Sequence, residues 1–165
     1  MRFLVILMPN YCSKSRHNHK PLIFHGDYTQ RLTAWREFRD RLETDDTALQ
    51  LTLQLYQQCP LTHTKTNFFD RSTWPQAWNL IEKNDYNTVD RLLGMWYTLR
   101  LTDRFVQDEI DLLQCVYKNS NQLEKTNPYH ALAVNHQYLV LENSAILHQK
   151  EFDNHFISQY TYFNL

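Results

Sequence analysis

Behind Asn87 and Thr88 the apolar residues Val89, Leu92, Leu93, Trp96 and Leu99 fall on one helical stripe, so this segment must pack one face against a core. Gly94 interrupts that stripe at a cost of about 1 kcal/mol relative to alanine, which implies close approach by another element. Further on, His130 to Val134 and Gln137 to Leu141 have the form of a hairpin around Asn135-His136. Strands are also expected at Asp111 to Tyr117 and Tyr160 to Phe163. Helices first and antiparallel strands afterwards give an α+β fold, with N-terminal helices packed on a small antiparallel sheet.

The earlier part of the chain reads less evenly. Arg2 to Met8 has the look of a buried strand, and Asn10 to Gly26 of a polar loop. Asp27-Tyr28-Thr29-Gln30 forms a capping box ahead of Leu32, Trp35, Phe38 and Leu42, which predicts a helix of about four turns. Ala48 to Leu55 alternates as a half-buried strand would, yet it is rich in helix-forming Leu and Gln, with Asp46 placed to cap; both readings stay open. Ser72 or Thr73 can cap a short helix with Pro75 in its first turn, running to about Ile81.

Composition limits the function classes. The 165 residues suit one domain and carry a formal net charge of -1 with no basic block, so nucleic acid is not an expected partner. No run reaches the roughly 18 apolar residues of a membrane helix, so no membrane partner is expected. Phe3 to Met8 is too short for a signal-peptide core and lacks a small-residue cleavage site. Three widely spaced cysteines point to reduced thiols in an intracellular setting. Gly26 and Gly94 are the only glycines, which excludes glycine-rich phosphate cradles. Four Trp, ten Tyr and nine Phe supply large rings for a core and for contact surfaces.

An ordered set of motifs suggests more. Thr73-Trp74-Pro75-Gln76-Ala77-Trp78 precedes Asn87-Thr88-Val89-Asp90 with Tyr97-Thr98-Leu99-Arg100; then come His130-Ala131-Leu132-Ala133-Val134 and Val140-Leu141-Glu142-Asn143. In this order they resemble the bacterial transglutaminase-like cysteine peptidases, over roughly residues 67–165. In that family an aromatic-Ala-Thr-Pro segment precedes an Asp-Cys-Glu-Asp helix start, and a His-Ala strand leads to a Val-Leu-Asp-Asn strand. The resemblance places Thr88 where the catalytic cysteine belongs, His130 as base and Glu142 as the group that orients it. Residues 1–60 lie outside it, as an N-terminal extension to the core.

The departures from the family pattern bear directly on chemistry. A cysteine at a helix start is helped toward thiolate by the macrodipole and a neighbouring histidine. A threonine hydroxyl is far harder to ionise, and threonine nucleophiles typically borrow a terminal amine. The plainer readings are Thr88 as a helix cap, His130 as a strand histidine held by a neighbour, and Glu142 as a solvated strand end. Some family members bind calcium through acids flanking the cysteine; Asn87 and Val89 stand there instead, leaving Asp90 alone, so no calcium is expected.

Three remaining arrangements have bland readings as well. Cys12, His17, His19 and His25 match no usual zinc spacing, so no metal or other cofactor is expected. Cys59 near His63 is a candidate relocated nucleophile, whereas Cys115, sharing a strand face with Leu113 and Tyr117, reads as a buried thiol. Lost cysteine, lost acids and abundant aromatics together imply a non-catalytic domain that binds another protein or a protein assembly, in the cytoplasm or as a bacteriophage virion component. The alternative is an acyl-transfer hydrolase built on Thr88, His130 and Glu142.

Overall fold

The computed structural model describes residues 22–118 and 128–162. The expected strand at Arg2 to Met8, most of the histidine-containing loop and the polar segment 119–127 lie outside these residues. What the early segment does contain is a 3-10 turn at Leu22–Phe24 whose Ile23 and Phe24 are buried, so its end is not the plain polar loop expected.

Among the described residues four α-helices precede the sheet: α1 (Tyr28–Leu42), α2 (Ala48–Gln57), α3 (Ala77–Lys83) and α4 (Thr88–Arg100). Asp27 and Gln30 form the expected capping box on α1. The alternating stretch is helical. Its buried residues Ala48, Thr52, Leu55 and Tyr56 recur at three- and four-residue spacing, and the flanking Leu and Gln favour helix. Thr47, not Asp46, is its N-cap. Likewise α3 begins after Gln76, with Pro75 ahead of the helix; Ser72 and Thr73 belong to a separate 3-10 turn capped by Asp70.

Five antiparallel strands follow: β1 (Ile110–Tyr117), β2 (Tyr129–Val134), β3 (Gln137–Val140), β4 (Ala145–His148) and β5 (Phe156–Tyr162), in the order β4-β3-β2-β1-β5. The β2–β3 hairpin turns at Asn135, which takes a left-handed φ of 53°, a conformation asparagine tolerates well. A fifth helix, α5 (Gln149–His155), separates β4 from β5. Sequence reading missed both β4 and α5, because β4 has four residues and α5 buries only Phe152. The last strand also starts earlier than expected, at Phe156.

Period-two alternation divides the sheet into two faces. Ile110, Leu112, Leu132 and Val134 join the large core under α1 to α4, while Leu113, Cys115, Ala131 and Ala133 pack with Phe152 of α5. The described residues before position 60 contribute to the main core: Trp35, Leu42, Leu53 and Tyr56 are buried with Leu92, Leu99 and Leu112. Among the described residues no helix is long and apolar enough to cross a membrane.

A buried polar lock joins three of the helices. Thr98 Oγ1 of α4 lies 2.9 Å from Trp35 Nε1 of α1 and 2.9 Å from Tyr56 Oη of α2, and donates to the Gly94 carbonyl at 2.8 Å. Tyr56 reaches this position because Gly94 has no side chain; a Cβ there would stand 2.3 Å from Tyr56 Cε1. Gly94→Ala therefore gains helix propensity of about 1 kcal/mol but overpacks a site held by the buried Tyr56 ring, a change that typically costs about 1–3 kcal/mol. We expect a net loss of stability on chemical denaturation, partly relieved when Tyr56→Leu is added, whereas Tyr56→Leu alone destabilises.

Candidate functional site

Thr88, His130 and Glu142, the residues that the sequence motifs single out, lie at the start of α4, on β2 and in the turn after β3. Thr88 is the first residue of α4 and is exposed. It is not the cap: Asn87 holds that place, accepting from the Asp90 amide while Asp90 accepts from the Asn87 amide. Among the described residues the Thr88 hydroxyl has no hydrogen-bond partner, His130 included.

The acid that follows is tied down differently. Asp90 is buried and accepts the Thr66 hydroxyl at 2.6 Å, and Thr66 in turn accepts from Asn87 Nδ2 at 3.0 Å. Burial raises its carboxyl pKa, partly opposed by the hydrogen bonds from Thr66 and Asn87. These contacts consume Asp90 in anchoring the 66–68 segment to the helix start.

His130 lies on the β2 face that looks toward α4, 8% exposed. Its Nδ1 is 2.8 Å from Glu142 Oε1, and its backbone N–H donates to Glu142 Oε2 at 2.9 Å. The local cause is plain: β3 ends at Val140, the chain turns, and Glu142 folds back to accept the amide that the next ladder rung would have served. Glu142 is thus neither in β3 nor a merely solvated strand end, since its carboxylate fixes the imidazole as an orienting residue does.

The other ring nitrogen decides what that pair can do. A carboxylate only accepts, so Nδ1 carries a hydrogen and Nε2 is the nitrogen left to act as a base. Nε2 faces Gln114 Nε2 at 3.4 Å, where Gln114 of β1 sits directly opposite His130 in the strand register. Phe68 packs edge-on against the imidazole, with centroids 5.6 Å apart. A nucleophile would need hydrogen-bond reach of Nε2, and an amide stands there instead. Gln114 was not singled out from the sequence; strand register with a histidine was the signal that pointed to it.

Neither described cysteine makes a hydrogen bond to His130. Cys115 is on the opposite sheet face from His130, fully buried against α5, and burial pushes its thiol up to about 12. Cys59 is buried at the end of α2, bonded to the Tyr56 carbonyl at 3.1 Å; burial pushes it up to about 11, opposed by Arg91. Its sequence neighbour His63 is exposed. Of the four residues weighed for zinc, only His25 lies among the described residues, and it is exposed; those residues contain no cluster of three or more metal-ligating side chains.

A cleft of about 590 Å³ opens beside the start of α4, walled by Thr64, Lys65, Thr73, Asn79, Lys83 and Asp90 among others, and Thr88, His130 and Glu142 are not in its wall. No protein-family model matches this chain, and no curated protein matches it.

Two outcomes follow from these contacts. Glu142→Gln keeps one acceptor but turns an N–H₂ group toward the second His130 donor, so stability should fall by about 1 kcal/mol, the low end for an unmatched buried donor because water reaches this side chain. Equilibrium unfolding in urea measures it, and an unchanged midpoint would contradict the double acceptance. Peptide mapping after brief iodoacetamide treatment at about pH 8 should find Cys59 and Cys115 unmodified, since buried, little-ionised thiols react slowly.

Proposed function

We propose that this domain is a non-catalytic, transglutaminase-like module that binds another protein or a protein assembly. The observation that carries the reading is the environment of His130 Nε2. The orienting half of a hydrolytic triad is present, with Glu142 on Nδ1 at 2.8 Å, while the position a nucleophile would need is held by Gln114. The replacement of cysteine by Thr88, and of the flanking acids by Asn87 and Val89, agrees with that arrangement. Exposed aromatic and aliphatic side chains, among them Phe69, Trp78, Ile157 and Tyr160, supply contact surface. On its motif order we place the domain in the cytoplasm or in a virion, as part of a bacterial or bacteriophage assembly.

The second reading is an acyl-transfer hydrolase in which Thr88 attacks, His130 takes the proton and Glu142 holds the imidazole. The 2.8 Å Glu142–His130 pair favours it. Against it stand the exposed position of Thr88, whose hydroxyl makes no hydrogen bond to His130, and the weak acidity of any internal threonine.

Incubation with a panel of peptide and amide substrates separates the two. No turnover above background, in wild type and in His130→Ala alike, is the expected result. Turnover that disappears in both His130→Ala and Thr88→Val would establish the hydrolase and end the module reading.

A further inference from the structure

Among the described residues the two outer edges of the sheet differ. β4 is four residues long and runs directly into α5, the usual way a short edge avoids pairing. β5 is seven residues long, Phe-Ile-Ser-Gln-Tyr-Thr-Tyr, without a charge or a proline, and among the described residues nothing pairs with its outer side. Its one irregularity is a register shift against β1 between Gln114 and Cys115. Beside it runs an apolar ledge: Tyr160 is 54% exposed and packs against Phe69, also 54% exposed, at a centroid distance of 4.7 Å, while Ile157 on the same strand is 51% exposed.

We propose that β5 pairs with β5 of a second copy of this chain across a two-fold axis, joining the two sheets into one antiparallel sheet. An edge of this kind takes an extended strand through its backbone groups, one that sets no like charges opposite each other. β5 itself is such a strand. A two-fold axis normal to the sheet sets β5 against β5 antiparallel, brings no two charges together, and keeps both Phe69–Tyr160 ledges on the same face. Seven residues at about 3.3 Å each make an edge only about 23 Å long. With two half-exposed aromatics per copy, the pair stays below about 1,200 Å², the range of weak and reversible interfaces. The dimer is therefore concentration-dependent. It goes beyond the module reading and does not depend on it, because turnover at His130 would leave the association unchanged.

Sedimentation of the full chain from about 10 to about 200 µM, spanning the affinities expected of a small interface, should show a monomer–dimer equilibrium. Ile157→Lys and Tyr160→Lys should each remain monomeric with unaltered circular dichroism. Single cysteines introduced at positions 157–161 test the geometry without relying on those variants. On mild oxidation, only positions near the two-fold axis should give a disulfide-linked dimer, because bridged Cα atoms must lie within about 7 Å. A wild-type chain that is monomeric throughout the range overturns the proposal. So does a dimer that survives both lysine changes and yields no cross-link, which would mean that another surface, or another segment such as Phe3 to Met8, takes the contact.

Discussion

The Thr98 hydroxyl is the point on which three helices meet. A threonine oxygen offers one hydrogen and two lone pairs, and here all three are used: Trp35 and Tyr56 reach it from α1 and α2, and it donates to Gly94 in its own helix. The arrangement requires Tyr56 to lie against bare backbone, which only the glycine at position 94 permits. Because these groups are buried, leaving any one of them unmatched costs more than the bond itself contributes. The lock fixes α4 against α1 and α2, and α4 packs on β1 and β2. The start of α4 and the imidazole of β2 are therefore held in one rigid frame.

Within that frame the groups around His130 and at the start of α4 are well ordered. Glu142 accepts twice from His130, Gln114 Nε2 stands 3.4 Å from His130 Nε2, and Phe68 packs edge-on against the ring. At the helix start Asp90, Thr66 and Asn87 satisfy one another. The segment from Thr66 to Phe68 links the two groups, anchored to α4 at one end and packed on His130 at the other. These contacts hold β1, β2, the turn after β3 and the 66–68 segment together.

Much of the fold was legible because periodicity and caps act locally. The Asp27–Gln30 box, the α4 stripe and the Asn135 hairpin are each set by residues a few positions apart. The alternation at Ala48 to Leu55 was ambiguous because Leu-Gln repeats satisfy both periods in part; burial of Ala48, Thr52 and Tyr56 by tertiary packing decided for helix. β4 and α5 carried too few buried residues to signal themselves. At the site, Thr88, His130 and Glu142 could be named from motif order, and the Glu142–His130 contact matches the orienting role considered for Glu142. Gln114 could not be named, since its importance comes from lying across a strand pair from His130, sixteen residues away in sequence.

The central claim is that the imidazole of His130 answers to Glu142 and Gln114 and not to Thr88. Nitrogen-15 NMR of the His130 side chain reads this directly. A hydrogen on Nδ1 is expected, with Nε2 signals that move in Gln114→Leu but stay in place in Thr88→Val. An Nε2 resonance displaced by Thr88→Val would show the hydroxyl on the base and contradict it.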